Sequence, residues 1–218
     1  MKGPLFYAKI LLFGEYGIIK DSKGLSIPYN HFKGSLKTSN LGLDVLQKKS
    51  HVKVKEFTCF LKSIDSKVVC FDWDKVNNDL EKHIYFDSSI PQGYGVGSSG
   101  ALVAAVYDRY AKDKITVLEN LTKIKLQKLK LIFSQMESFF HGKSSGLDPL
   151  NSYLSLPILI NSIDNIESTG IPSQNMDGNG AVFLLDSGLA SKTAPMVSLF
   201  MENMKNESFN KMMKNQFI

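Results

Sequence analysis

Hydrophobic and polar residues alternate in several segments of the first 90 residues, which is the pattern of strands with one buried face. Farther along, apolar residues recur at the three- or four-residue spacing of helices that bury one side. The predicted elements are, in chain order, one or two strands within residues 5–20, a short extended segment at 25–30, strands at 51–60 and 67–73 that form a hairpin, a short helix at 74–82, a strand at 82–90, a helix at about 99–112, and helices from about 116 to 140 with a break near Lys125. Because strands come first and helices follow, the order predicts an α+β sandwich, not a doubly wound parallel sheet.

The character of the sequence changes after about residue 160. Residues 163–180 are polar and rich in turn-forming residues, which suits a linker or a sheet edge. Residues 181–186 predict a buried strand, and a Met-rich run at 196–205 predicts a helix. These elements indicate that a second structural unit begins in this part of the chain.

A glycine-rich loop joins the strand at 82–90 to the helix at about 99–112. It reads Pro91-Gln92-Gly93-Tyr94-Gly95-Val96-Gly97-Ser98-Ser99-Gly100-Ala101. Glycines let a backbone approach an anion closely and take positive φ angles. The first N–H groups of a helix lack internal partners and carry the positive end of the helix dipole. Strand, loop and helix in this order therefore predict a site for the phosphates of a nucleoside triphosphate.

The glycines by themselves also fit an ordinary turn between a strand and a helix. No Lys follows them, as a Walker A loop requires, and the third glycine stands one residue too early for the dinucleotide fingerprint. The full string is more specific, because Pro91 precedes the glycines and Ser98-Ser99-Gly100-Ala101 follows them. It resembles the phosphate loop of the GHMP kinase superfamily.

Two other segments carry the same resemblance. Ala8-Lys9-Ile10-Leu11-Leu12-Phe13-Gly14-Glu15-Tyr16-Gly17 is similar to the first motif of the mevalonate kinase branch, Lys-x-x-Leu-x-Gly-Glu-His. Residues 137–148 are similar to its segment Glu-x-x-x-His-Gly-x-x-Ser-Gly-x-Asp at identical spacing. The three motifs together span Lys9 to Asp148, and the mevalonate kinase branch is the part of the superfamily that the chain resembles most.

The resemblance implies an ATP- and Mg²⁺-dependent kinase of small alcohols, with mevalonate as the first expected acceptor, in isoprenoid precursor synthesis. It implies an ATP-binding domain like ribosomal protein S5 domain 2 at 1–160. At 161–218 it implies the start of a truncated α+β C-terminal domain of a GHMP kinase. The residues that it places on ATP are Pro91, Gly93, Gly95, Val96, Gly97, Ser98, Ser99, Gly100 and Ala101.

The resemblance also assigns roles to four side chains. Asp148 would accept the proton of the acceptor hydroxyl, and Lys9 would stabilise the charged carboxylate and the transferred phosphoryl group. Ser99 and Glu137 would hold Mg²⁺, which takes one or two carboxylates together with phosphate oxygens. The residues alone leave simpler roles open: Asp148 also fits a helix N-cap before Pro149, Lys9 a solvated strand end, and Glu137 a surface carboxylate.

Two features depart from the family pattern. Tyr16 stands where mevalonate kinases have His; with Glu15 it would line the acceptor pocket, so phosphomevalonate, homoserine or a sugar stays open as the acceptor. No glycine cluster follows Gly188, where the family carries its third motif, so a nucleotide-binding protein without turnover also stays open. His141 before Gly142 predicts a helix end, not a metal ligand.

Composition excludes several classes of protein. The formal net charge is +5, but Arg109 is the only arginine and the lysines are spread along predicted helices, which does not predict a nucleic-acid surface. Cys59 and Cys70 are isolated and fit a reducing compartment. No run has the length of a membrane span, and the start lacks a signal pattern. We expect a cytoplasmic protein whose partners are small molecules, with a homodimer left open.

Overall fold

A computed structural model describes residues 3–116, 121–162, 164–170, 184–186, 188–190 and 193–216. In this part of the chain, five strands form one antiparallel sheet, which confirms the predicted α+β class. The strands are β1 (Phe6–Phe13), β2 (Gly24–Lys37), β3 (Tyr85–Ser88), β4 (Ile158–Ser162) and β5 (Asn165–Ser168). The helices are α1 (Val45–Leu61), α2 (Trp73–Glu81), α3 (Ser98–Tyr110), α4 (Lys123–His141), α5 (Leu147–Leu154), α6 (Thr193–Asn203) and α7 (Glu207–Gln216), and a 3-10 turn spans Gly17–Lys20.

The long strand β2 organises the sheet. β1 pairs with β2 on one side, while β3 and β4 pair with its two ends on the other side. Leu36 faces Phe86 in the β2–β3 pair, and Leu25 faces Leu159 in the β2–β4 pair. β5 continues the sheet beyond β4, so this hairpin crosses the boundary expected at residue 160.

Helices α3 and α5 pack against β1 and β2, and α4 packs against both of these helices. Helix α3 is buried on all sides, and most of its fully or nearly fully buried residues are small: Ala101, Val103, Ala104, Ala105 and Val106. Small side chains let the helix axis approach both neighbours closely. The N-terminus of α3, the start of α5 and the strand β1 therefore meet in one place.

The predicted hairpin of strands at 51–60 and 67–73 is wrong. Residues 51–60 lie inside α1, which begins with a capping box between Asp44 and Gln47. Its buried residues are Val54, Phe57, Thr58 and Leu61, which follow the three- or four-residue spacing of a helix. Short runs of alternating polar and apolar residues in the same segment led to the wrong prediction of a strand. In the second segment, the only pairing in the described residues is a single bridge from Phe71 to Ala111.

Other predictions differ from the structure mainly at their ends. The segment at 25–30 is the middle of the longer strand β2, and the helices at 74–82 and 99–112 are α2 and α3. Helix α4 runs unbroken through Lys125, whose N–H donates to the N-cap side chain of Thr122. The break predicted near Lys125 is therefore the beginning of the helix.

In the region after residue 160, the predicted sheet edge and the predicted helix are confirmed, and part of the predicted strand is wrong. β5 lies within the segment predicted as a polar linker or edge, and it is the edge strand beyond β4. The predicted helix at 196–205 is confirmed as α6. Of the predicted strand at 181–186, residues 184–186 are described and are not in a strand, while 181–183 lie outside the described residues.

None of the helices in the described ranges combines the length and the apolar content that crossing a lipid bilayer requires.

A buried carboxylate joins α2 to the end of α3. Asp79 accepts hydrogen bonds from Arg109 Nε at 2.6 Å and from the Tyr110 hydroxyl at 3.1 Å, both at Oδ2. Its side chain is 7% exposed. The chain's single arginine therefore has a structural partner at this position.

Asp79→Ala should lower the free energy of unfolding by about 3–5 kcal/mol, because it leaves a half-buried guanidinium and a buried hydroxyl without their acceptor. Asp87→Ala is the matched control, since it breaks the exposed ion pair between Lys37 and Asp87 and should cost well under about 1 kcal/mol. Urea unfolding of both variants measures the difference. Equal losses would contradict the structural role of Asp79.

Candidate active site

The glycine loop forms a cap of backbone at the N-terminus of α3. Gly93, Gly95 and Gly97 have φ angles of 82°, 69° and 80°, a conformation that favours glycine. Gly97 is the N-cap, and no side chain caps the helix. The N–H groups of the first turn therefore have no partner within the helix and point out of its end.

The loop is anchored at its second half and exposed at its first. The backbone N–H of Lys9 donates to the carbonyl of Val96 at 3.0 Å, which ties the loop to β1. A Cβ atom on Gly97 would lie 3.0 Å from Cγ of Lys9, so the Lys9 side chain passes directly beside the loop. Of the residues predicted to bind ATP, Gly93 and Gly95 are exposed, Pro91, Val96, Ser98 and Ser99 are half-buried, and Gly97, Gly100 and Ala101 are buried.

Lys9 and Asp148 form an ion pair. The distance between Lys9 Nζ and Asp148 Oδ1 is 3.0 Å, with the lysine buried and the aspartate side chain 37% exposed. Burial alone would lower the pKa of Lys9, but Asp148 together with the fields of Glu15 and Glu137 outweighs it, and the pKa is raised. Lys9 is therefore charged, and it is not the solvated strand end that the sequence left open.

Asp148 is held in place by a close approach of two helices. It is the second residue of α5, whose N-cap is Gly146, so the alternative role as N-cap is wrong. A Cβ atom on Gly100 would lie 2.7 Å from the Asp148 carbonyl carbon and 2.8 Å from the Pro149 nitrogen. Only glycine lets the first turn of α3 touch the backbone that carries Asp148.

Glu137 is buried next to the same helix end. It is 3% exposed, which excludes the surface role that the sequence left open. Its Oε1 accepts a hydrogen bond from Ser99 Oγ at 3.1 Å, and its Oε2 accepts one from Ser144 Oγ. Burial, followed by the field of Asp148, raises the pKa of Glu137 to about 7, against the opposing effect of the two hydroxyls and Lys9.

The loop after α4 holds Ser144 against Glu137. Ser144 Oγ accepts from the Gly146 N–H at 3.0 Å, and the Ser144 carbonyl accepts from Ser134 Oγ at 2.6 Å. Gly146 has a φ of 75°, and a Cβ atom there would lie 2.2 Å from the carbonyl oxygen of Lys130. The loop therefore packs tightly on α4, and a larger residue at Gly146 would push it away.

Sequence reasoning missed two contacts of this site. Ser144 stands beside the motif serine, and nothing in the pattern distinguishes it from its neighbour Ser145. His141 ends α4 as predicted, but its Nε2 also lies 3.0 Å from Ser99 Oγ. The spacing contained a signal for this second contact, because His141 is one helical turn beyond Glu137 and shares its face.

The predicted acceptor residues lie beside this cluster and differ in their environment. Glu15 is exposed, and its negative charge contributes to the raised pKa of Lys9. Tyr16 has a φ of 59° and stacks on Phe200 of α6, with ring centroids 5.0 Å apart. The turn at residues 14–17 therefore adds negative charge near Lys9 and contacts the second part of the chain through Tyr16.

The residues present fit a magnesium ion. Glu137 and Ser99 offer oxygen atoms that already contact each other at the end of α3, and oxygen is the donor that Mg²⁺ prefers. The described residues contain no group of three or more His, Cys, Asp or Glu side chains arranged to hold a metal. Such a site needs the further oxygens of a phosphate, as Mg²⁺ sites in kinases do.

Gly100→Ala should lower the free energy of unfolding by about 1–3 kcal/mol, because the added methyl group forces α3 away from the backbone of Asp148 and Pro149. Gly170→Ala is the control, since a Cβ atom there meets nothing within 4 Å. Thermal unfolding compares the two variants. A Gly100→Ala protein as stable as the control would contradict the close approach.

Glu137→Gln should stabilise the unliganded protein above pH 7. The folded carboxyl takes up its proton near pH 7 and the unfolded one near 4.5, so the folded state loses stability as the pH rises between these values. Substitution by Gln removes this loss of folding stability, which is on the order of 3 kcal/mol at about 1.4 kcal/mol per pKa unit. Urea unfolding at pH 5 and pH 8 should show the larger gain at pH 8. The control is the exposed Glu81→Gln, and an equal gain at both pH values would refute the burial cost.

Comparisons with known proteins find one matching protein family. Residues 67–155 match the family model for the GHMP kinases N terminal domain, a range that contains the glycine loop, Glu137 and Asp148. No curated protein sequence matches the chain significantly.

Two solved structures are similar in fold. The mevalonate kinase of Methanococcus jannaschii has a TM-score of 0.53 and 17% identity, with 99% of this chain and 70% of that chain covered. The L. major mevalonate kinase in complex with R-mevalonate has a TM-score of 0.49 and 17% identity, with 95% of this chain and 65% of that chain covered. Residues 67–155 are therefore similar to the N-terminal domain of GHMP kinases, and the chain shares its fold with the Methanococcus jannaschii mevalonate kinase.

Proposed function

We propose that the chain is an ATP- and Mg²⁺-dependent kinase that phosphorylates the hydroxyl group of a small molecule, with mevalonate as the first expected acceptor. One observation carries the proposal. The Lys9–Asp148 ion pair and the Ser99–Glu137 contact meet at the uncapped N-terminus of α3. Phosphoryl transfer depends on positioned charge more than on covalent chemistry, and this arrangement supplies positioned charge of both signs.

The phosphates of ATP fit the end of α3. Three free N–H groups, the positive end of the helix dipole and the Lys9 ammonium would all face the anion. Gly93 and Gly95 carry no side chain in the exposed half of the loop, so its backbone can approach a phosphate there. Lys9 would also stabilise the negative charge that moves onto the transferred phosphoryl group.

Glu137 and Ser99 are the residues that would hold Mg²⁺. The chemistry that the ion would supply is positive charge against the phosphate oxygens. Glu137 is preorganised for this role, because two hydroxyls and the surrounding core fix its carboxyl group before any ligand arrives. The nearby positive charge of a metal would favour the ionised carboxylate that burial alone disfavours.

Asp148 is the residue that would accept the proton of the acceptor hydroxyl. Its side chain is the more exposed partner of the ion pair, so a substrate can reach it. Lys9 contacts Oδ1, and we assign Oδ2 as the atom that takes the proton. The carboxylate is the form of this side chain that can act as a base.

The acceptor would lie between Asp148 and the turn that carries Glu15 and Tyr16. Mevalonate follows from the sequence motifs and is supported by the shared fold with a mevalonate kinase. An assay of ATP consumption with mevalonate, phosphomevalonate, homoserine and galactose decides among the acceptors. Calorimetry with ATP and Mg²⁺ identifies the remaining alternative, a protein that binds nucleotide without turnover.

Asp148→Asn should lower kcat with the best acceptor by a factor of about 10²–10⁴, because an amide cannot take the hydroxyl proton. The affinity for ATP measured by calorimetry should change much less, since Asn keeps the size of the side chain. A coupled assay of ADP release gives kcat.

The matched control is Asp108→Asn, which removes a different carboxylate that pairs with Lys114 outside this cluster. It should keep kcat within a few-fold of the unaltered protein. If Asp148→Asn behaves like this control, Asp148 is not the base and the proposed mechanism fails.

A further inference from the structure

The hydroxyl group of Ser99 lies between two partners that together define where its proton points. Its oxygen is 3.1 Å from Glu137 Oε1 and 3.0 Å from His141 Nε2. A serine hydroxyl has one proton to donate and two lone pairs that accept. The orientation of this hydroxyl therefore depends on which partner takes the proton.

The other hydroxyl on Glu137 shows how such a pair is arranged. Ser144 donates its proton to Oε2, and its oxygen accepts from the N–H of Gly146. Because a backbone N–H can only donate, the proton of the Ser144 hydroxyl must point at the carboxylate. Ser99 occupies the equivalent position on Oε1, with the His141 ring in place of the backbone N–H.

We propose that His141 is a positioning residue for Ser99: its Nε2–H donates to Ser99 Oγ and directs the hydroxyl proton at Glu137. The second lone pair of Ser99 is then left for the ligand at the end of α3. The opposite tautomer of His141 would need the proton of Ser99 for itself. When Glu137 is ionised, that tautomer would leave two acceptor oxygens, Ser99 Oγ and Glu137 Oε1, facing each other without a proton between them.

The consequence for ligand binding rests on the proposed function. A hydroxyl whose proton points at Glu137 presents a lone pair, which is what a cation needs. A hydroxyl that rotates freely presents a proton part of the time and repels the cation. Partners that orient a metal ligand from behind are worth about 10–100-fold in metal affinity, so His141 should affect metal binding although it does not itself hold the metal.

His51 serves as an internal reference for the tautomer of His141. His51 Nδ1 lies 2.7 Å from the carbonyl oxygen of Ile84, and a carbonyl only accepts, so the proton of this ring is on Nδ1. His141 is expected to carry its proton on the other nitrogen. Ring ¹⁵N spectra at a pH where both rings are neutral distinguish the two patterns, and the signal of His141 is the one lost in His141→Gln.

The spectra test the hydrogen bond without any ligand. The expected result is Nε2–H for His141 and Nδ1–H for His51, with a shift of the His141 pattern alone in Ser99→Ala. A Nδ1–H pattern for His141 in the unaltered protein overturns the proposal. So does a His141 pattern that is the same in the unaltered protein and in Ser99→Ala.

Two variants test the consequence for the metal. His141→Gln keeps an N–H donor at about the reach of Nε2, while His141→Phe keeps the ring shape and removes the donor. Binding of Mn²⁺ in the presence of ADP, measured by electron paramagnetic resonance, should weaken about 10–100-fold in His141→Phe and no more than about threefold in His141→Gln. Thermal unfolding should be nearly the same in both variants.

The outcomes separate this inference from the proposed function. If the unaltered protein binds no Mn²⁺ with ADP, the proposed function fails, and the ring spectra still decide the hydrogen bond. If it binds and His141→Phe binds equally well, the positioning role is overturned while the proposed function stands. Equal weakening in both variants also overturns it, because the donor would then not be the property that matters.

Discussion

The burial of Lys9 and Glu137 beside the end of one helix is the constraint on which the rest of the structure depends. Two charged groups in a protein interior need partners at short range, since each loses its water. Asp148 supplies the partner of Lys9, and two serine hydroxyls supply those of Glu137. These partners reach the charges only because α3, α5 and the loop after α4 approach one another at glycines, where a Cβ atom would meet backbone.

The buried Glu137 carboxylate lowers the stability of the folded protein, but its position is fixed before any ligand binds. A carboxyl whose pKa is about 7 costs the folded protein free energy wherever it is ionised, and a hydrophobic residue would pack there without that cost. A ligand that brings positive charge reverses the balance. The contrast with Asp79 is informative, because that buried carboxylate has a guanidinium and a hydroxyl of its own and gains nothing further from a ligand.

The sequence predicted the fold class correctly and identified four side chains that the structure brings together, but it assigned helix α1 wrongly. Lys9, Ser99, Glu137 and Asp148 were identified from motifs whose spacing is tied to their contacts, and the structure brings all four together. Part of helix α1 was predicted as a strand because the exposed Val52 and the buried Val54 alternate with polar residues. Over these few residues, the alternating pattern of a strand and the spacing of a helix cannot be distinguished. Ser144 could not be predicted, because its contact depends on how the loop folds back onto α4 and not on residue type.

The two hydroxyls on Glu137 explain how one carboxyl group can serve both the core and a ligand. Ser144 Oγ accepts a hydrogen bond from the backbone N–H of Gly146 and donates to Oε2 of Glu137. Oε2 is therefore held by contacts within the protein. Ser99 is the second residue of α3 and contacts the His141 side chain, so Oε1 faces the end of the helix. A backbone donor at both positions would fix both oxygens permanently. A side-chain donor at one of them can be removed by a single substitution, whereas a backbone N–H cannot.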